Sequence, residues 1–389
     1  MSGFVTLRDA GAAYRDEVEA RRRRLVAGRG VLLRNGLSDG AATQATYRQR
    51  ITVGAEDALD VGLVYANWRN PSGAGEAAGP NAITVRAAIE YPAGTMTPVF
   101  FGGRREVVME PGAQATSDAG AGVSIPAGAQ AWVRTHVSAA SGGRWPLGVT
   151  TVPGDGEGSN LSGGGADLTT SGTVPTAFAY GYGPLAITGL TATAQRAIVV
   201  LGDSIASGQA DNPANDLGFV VRAVGGRYGW SSLAMPAEQA GQIVSGGGRR
   251  MALAAQYAAT TVCNHGINDL VIGRTASQVQ ASLLALWKGL AGRGLEVFHT
   301  TLTPRTTSSD GWATLAGQTP YANEAERQAI NGWLRSGPSP HLTGVFDVAA
   351  VLEDGDSGRW KAPAEGSLTG DGLHPKPAGY ALMAAAVAL

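Results

Sequence analysis

The feature that most constrains this chain is a change of hydrophobic period near Thr191. Before it, from about Tyr47 to Gly189, apolar residues come in short β-like runs. These are Tyr47–Val53, Leu59–Trp68, Ala82–Tyr91, Thr97–Phe101, Glu106–Met109, Gly122–Ile125 and Gln130–Val137. Turns such as NPSGAGEAAGPN and EPGAQATSDAGAG separate them. Short strands at this spacing predict an antiparallel, jelly-roll-like β-sandwich. Ser159–Gly172 reads as a flexible loop by composition.

After Thr191, strands alternate with helices, which implies βαβ units and a parallel sheet. Strands are expected at Arg196–Leu201, Ser231–Met235, Thr260–His265, Leu295–Leu302 and Gly344–Val348. Helices are expected at Ala237–Tyr257, Ala276–Ala291, Ala322–Leu334 and Pro377–Leu389. Five strands with intervening helices make a flavodoxin-like three-layer α/β/α domain. Ahead of both parts, Arg8–Ala27 has near-helical spacing and ends in four arginines, Arg21–Arg24, which suit a helix C-terminus. The expected division is an N-terminal helical segment over 1–40, a β-sandwich accessory domain over 41–190 and the α/β domain over 191–389.

Composition removes several function classes. Only 16% of residues are charged and the formal net charge is -1. Nothing electrostatic therefore calls for a nucleic-acid partner. No apolar run reaches the ~18–20 residues that a membrane span needs. The first residues, MSGFVTLRDAGAAYRDEVEARRRR, lack the apolar core of a secretory signal. Cys263 is the single cysteine, which excludes an internal disulfide and a cysteine-based zinc site. No histidine pair has metal-ligand spacing, and no metal or other cofactor is expected.

In an open parallel sheet, function collects at the C-terminal ends of the strands. The first strand of the α/β part runs into Gly202-Asp203-Ser204-Ile205, the third into Gly266-Ile267-Asn268-Asp269. The last is followed, after a loop, by Asp371-Gly372-Leu373-His374. A serine hydroxyl is a weak nucleophile until a base removes its proton, and His374 is the candidate base. Asp371, three residues earlier, can turn back onto the imidazole nitrogen that faces away from the serine. Charge developing on a substrate oxygen needs donors, for which the Asn268 amide and the Ser204 backbone N–H are candidates. A second Gly-Asp-Ser, at 355–357, lies in a polar loop and reads as a surface turn.

These three blocks resemble those of the SGNH (GDSL-type) hydrolases. The flanks His299–Arg305, Ala325–Arg335 and Asp371–Met383 agree, so the resemblance covers about Arg196–Leu389. It implies ester hydrolysis through an acyl-serine, with Ser204 as nucleophile, His374 as base and Asp371 as its orienter. The family usually has a glycine after the second strand whose N–H completes the oxyanion hole; here Ala237 stands at that position. Backbone chemistry survives that exchange if φ is negative, whereas a positive φ would strain alanine. The first half is similar to the β-sandwich that precedes the hydrolase domain in some bacterial members, an accessory module.

The substrate expected from the resemblance is a small ester, an acetyl group on a carbohydrate. The alternatives are a lipid esterase or lysophospholipase, and a glycan-binding adhesin or phage-type structural protein with an accessory esterase domain. Trp312 and Tyr321, in the polar insertion Thr306–Tyr321, are candidate substrate contacts. Trp68 and Trp145 read as plugs of the sandwich or as a sugar platform. His265 and His299 read as buried core histidines, and Asp203 and Asp269 as carboxylates that fix their loops.

Overall fold

The structure is a computed structural model and describes residues 22–34, 36–120, 122–211 and 218–389. Ten antiparallel strands of the first half join in one sheet. Its main path runs Gln114–Thr116, Leu59–Ala66, Ala186–Leu190, Arg24–Gly28, Gln44–Val53, Gln130–Ser138, Ile83–Glu90 and Met96–Pro98. The sheet is a half-barrel. Leu59–Ala66 and Gln130–Ser138 stand four places apart in it. In a flat sheet that would separate them by roughly 19 Å. Yet the Tyr65 hydroxyl and Thr135 Oγ1 are 2.7 Å apart, so the sheet curls until its flanks meet. One curved sheet thus encloses the core that two facing sheets of a sandwich would enclose. Trp68 and Trp145 are fully buried in that core and offer no platform to a sugar.

The expected helix at Arg8–Ala27 falls mostly outside the described residues, and its described end is not helical. Arg24–Gly28 is a strand buried along its whole length. Leu25–Ala27 is a continuous apolar run that strand partners cover on both edges, Ala186–Leu190 and Gln44–Val53. Of the four arginines, Arg21 lies outside the described residues, and the other three do not decorate a solvated helix end either. Arg22 donates to the Ala255 carbonyl at 2.7 Å, Arg23 pairs with Asp60, and Arg24 donates to the Gln195 carbonyl at 2.7 Å.

The second sheet is parallel throughout. Its order is Gly30–Val31, Gly229–Ser232, Ala197–Leu201, Thr260–Cys263, Glu296–Thr300 and Gly344–Phe346. Leaving aside the first, this is the flavodoxin-like order 2-1-3-4-5, whose switch point lies between Ala197–Leu201 and Thr260–Cys263. The apolar run AIVVL is fully buried, as a strand covered on both faces requires. The helix Ala276–Ala291 matches its expected bounds and starts with a capping box in which Thr275 accepts from the Gln278 N–H. The helix expected over Ala237–Tyr257 is two helices, Ala240–Gly246 and Gly248–Tyr257, joined at Gly247. Among the described residues, no helix is long and apolar enough to cross a membrane.

The edge strand Gly30–Val31 comes from the first half of the chain. It follows Arg24–Gly28 directly, so one short stretch serves both sheets. The contact is close enough to need glycine: a Cβ on Gly28 would lie 2.0 Å from the Trp230 indole nitrogen. We propose that the boundary between the two parts falls between Leu190 and Ala197, with residues 30–31 crossing it.

Candidate active site

Both switch-point strands end in loops that lock onto each other. Gly202 leaves its strand against Asn264; a Cβ there would lie 1.8 Å from Asn264 Oδ1. Only glycine fits so close an approach. Asn264 Oδ1 accepts the Asp203 N–H at 3.0 Å, and its amide donates to Asp203 Oδ1 at 3.1 Å. Asp203 Oδ1 also accepts the Ile205 N–H at 2.8 Å. Asp203 is therefore a fully buried loop clamp; burial raises its pKa against these hydrogen bonds. Ser204 follows it and opens a series of turns rather than a regular helix, with Gln209 N–H donating back to the Ser204 carbonyl at 2.9 Å.

The third block comes to the same place from far along the chain. His374 Nε2 is 2.8 Å from Ser204 Oγ, and His374 Nδ1 is 2.6 Å from Asp371 Oδ2. The turn that allows this is held by Asp371 Oδ1, which accepts the N–H groups of Leu373 at 2.9 Å and His374 at 2.8 Å. Gly372 within it has φ +78°, and a Cβ there would lie 1.8 Å from the Thr306 carbonyl oxygen. Ser204 and His374 are almost fully buried, whereas about half of the Asp371 side chain is exposed. Partial burial would raise the Asp371 pKa, but the His374 ring and the two backbone N–H groups outweigh it and hold the carboxyl below its usual range.

Ala237 has φ +63°. This left-handed conformation costs an L-residue roughly 1–2 kcal/mol. Its loop is tied to the serine loop by Met235 N–H donating to the Gly202 carbonyl at 2.8 Å. Among the described residues, the backbone N–H groups of Ser204 and Ala237 donate to no protein acceptor. The Asn268 amide differs. It donates to the Glu238 carbonyl at 3.2 Å and to Asp203 Oδ2 at 3.3 Å, both long bonds.

What holds Ala237 in its conformation was not legible in the motifs. The next residue, Glu238, is buried and bonded to Arg250 at 2.6 and 2.8 Å and to His265 Nε2 at 3.1 Å. Burial would raise its pKa, but Arg250 and His265 bring it down to about 2. The first half of the chain completes the cluster. Asn70 donates to Glu238 at 3.2 Å, and Glu76 accepts from Arg250 Nε at 3.1 Å and from the N–H groups of Arg249 and Arg250. The only sequence signal was Glu238 itself, a lone acid inside the apolar stretch LAMPAEQA. Asp269 anchors the next helix, its Oδ2 accepting the Ala240 N–H at 2.9 Å.

Residues 200–382 match the model of the GDSL-like Lipase/Acylhydrolase family. This stretch is a GDSL acylhydrolase domain. It makes the protein a carboxylic ester hydrolase. No curated protein matches the chain significantly. Solved structures similar to it include a GDSL-like lipase from Bacteroides thetaiotaomicron, at 14% identity and a TM-score of 0.38, over 49% of this chain and 84% of that one. A member of the lipolytic protein G-D-S-L family from Veillonella parvula matches at 18% identity and a TM-score of 0.36, over 49% and 96%. An acetyl xylan esterase matches at 14% and 0.37, again over 49% and 96%.

The remaining candidates of the acylhydrolase domain are placed as follows. Trp312 packs on the Asp371–His374 turn: its ring is among the neighbours that a Gly372 side chain would meet, and its Nε1 donates to Thr306 Oγ1 at 2.9 Å. Tyr321 is partly exposed, with the Arg305 guanidinium 3.7 Å above its ring. His299 is fully buried against Trp287, and burial drives its pKa down to about 3. Burial likewise pushes the Cys263 thiol up to about 12, which removes it as a nucleophile.

Proposed function

We propose that this ester hydrolase works through an acyl-serine on Ser204 and removes short acyl groups, acetyl above all, from a carbohydrate. The observation that carries the mechanism is the imidazole of His374, bonded to Ser204 Oγ on one side and to the Asp371 carboxylate on the other. The Asp371 contact directs the Nδ1 proton to the carboxylate and leaves Nε2 to accept the serine proton. Ser204 Oγ attacks the ester carbonyl while its proton passes to His374. The carbonyl oxygen becomes an oxyanion, which the N–H groups of Ser204 and Ala237 stabilise. Asn268 supplies a third donor by giving up its long bond to the Glu238 carbonyl. His374 then protonates the leaving alcohol, and a water activated by the same imidazole frees the acid and regenerates the serine.

The short acyl group is supported by the interior behind the serine loop. The space bounded by Ile205, Asn264, Ile267, Leu302 and Met383 is only about 10 Å³. That is barely room for one water, so no alkyl chain enters the domain there. Trp312 and Tyr321 are proposed as substrate contacts on the His374 side. The test is a series of 4-nitrophenyl esters from acetate to octanoate, run beside acetate release from acetylated oligosaccharides. Activity that falls beyond acetate, with acetate released from the sugar, is expected. Activity that climbs with acyl length would favour a lipid substrate instead.

A further inference from the structure

A cleft of about 360 Å³ adjoins the catalytic loops. It lies between the two halves of the chain. Met235, Pro236 and Ala237 form its acylhydrolase side; Arg34, Leu147 and Tyr180 are on the side of the half-barrel. It therefore opens on the residue whose N–H is proposed to hold the oxyanion, through a loop bonded directly to the serine loop. An acetyl group is far too small to fill it.

Tyr180, which lines this cleft, and its neighbour Phe178, outside the lining, are both in contact with solvent. Tyr180 is 61% exposed and Phe178 is 62% exposed. Their rings meet edge-to-face, with centroids 6.0 Å apart, so Phe178 props the Tyr180 ring in place. Exposed aromatics joined to a concave site are a sign of binding rather than of folding. The walls are mostly apolar, with Arg34 and Ser72 among the lining residues. That mixture suits a ring that has an apolar face and hydroxyls around its edge.

We propose that this cleft is the subsite for the alcohol part of the substrate, a pyranose ring stacked on Tyr180 with its acylated oxygen directed at Ser204. The half-barrel would then be part of the active site and choose the sugar, while the acylhydrolase domain cleaves. This rests on the carbohydrate ester reading above and deepens it.

The test compares kcat/KM on acetylated xylobiose with kcat/KM on 4-nitrophenyl acetate for the full chain and for the variants Tyr180→Ala and Phe178→Ala. Both side chains are exposed, so neither truncation should prevent folding. The expected result is a fall of about tenfold in the sugar-to-chromogen ratio for Tyr180→Ala, carried by KM, and a smaller fall for Phe178→Ala. An unchanged ratio in a protein that does deacetylate the disaccharide would overturn the subsite alone. A variant that instead loses turnover of 4-nitrophenyl octanoate relative to acetate would also overturn it, because the cleft would then hold the acyl chain. Failure of the unaltered protein to release acetate from any acetylated saccharide, while it turns over 4-nitrophenyl acetate, would overturn the sugar reading and the subsite together.

Discussion

The chain contains Gly-Asp-Ser twice, and the two copies have little else in common. At 202–204 the tripeptide leaves a buried parallel strand; its glycine is pressed on Asn264, its aspartate is fully buried, and its serine meets His374. At 355–357 it is a surface turn. Ser357 N–H donates to the Asp354 carbonyl at 3.2 Å, and the Asp356 side chain is 81% exposed, 3.9 Å from Arg335. The same three residues thus bring a serine to a histidine or make a bend according to what precedes them. A strand end at the switch point presents the serine to groups from distant parts of the chain, and a turn between two short elements does not.

Ser204→Ala should lower kcat by ~10⁴–10⁶-fold on 4-nitrophenyl acetate. Full activity in that variant would remove the first copy from the chemistry. Asp371→Asn comes next, with an expected loss of ~10²–10⁴-fold, because the amide no longer fixes the imidazole with Nε2 free to accept. A third test concerns the support of the first copy. Glu238 has a folded pKa of about 2 against an ordinary 4.5, so its pairing stabilises the fold fully above pH 4.5, and that contribution is lost as pH falls towards 2. His299, depressed from 6.5 to about 3, acts in the same direction: the unfolded state takes up the proton first as pH drops below 6.5. Urea midpoints measured from pH 7 to pH 3 should therefore decline steadily, and Glu238→Gln should flatten the lower part of the curve.

Ala237→Gly relieves the left-handed strain and should raise stability by about 1 kcal/mol, read as a urea midpoint shift with activity retained. A loss of stability would mean that the alanine methyl packs usefully and that its φ is not a burden. Ser357→Ala, in the second copy, should change stability by no more than ~0.5 kcal/mol and leave turnover as it was.

Much of this was legible in the sequence. Period alone pointed to the parallel sheet, because a strand covered on both faces must be an uninterrupted apolar run such as AIVVL. The Asp371–His374 contact was legible because it depends on a local turn: three residues suffice to bring Asp371 back onto His374. The strand Arg24–Gly28 was misread because RLVAG carries no signal for the strands that bury it, both of them remote in the chain. The Glu76–Arg250–Glu238 chain was invisible for the same reason. Its members are ordinary charged residues until the two halves are packed together. Ala237 fell between these cases: its position followed from the motif, but its positive φ came only from the surrounding contacts.

The strand Gly30–Val31 has a consequence in time. It pairs with Gly229–Ser232, in the other half of the chain. That partner is made ~200 residues later, which at ~5–20 residues per second is ~10–40 s of synthesis. Arg24–Gly28 likewise waits for Ala186–Leu190 before its second edge is covered. The half-barrel that emerges first therefore leaves the ribosome with open strand edges, a state prone to pairing with other chains. Its own sheet is complete once Ala186–Leu190 has emerged, but Gly30–Val31 stays unpaired until the acylhydrolase domain follows. For an emerging chain, the boundary proposed at 191–196 is less a joint between finished modules than the moment at which the earlier one can close.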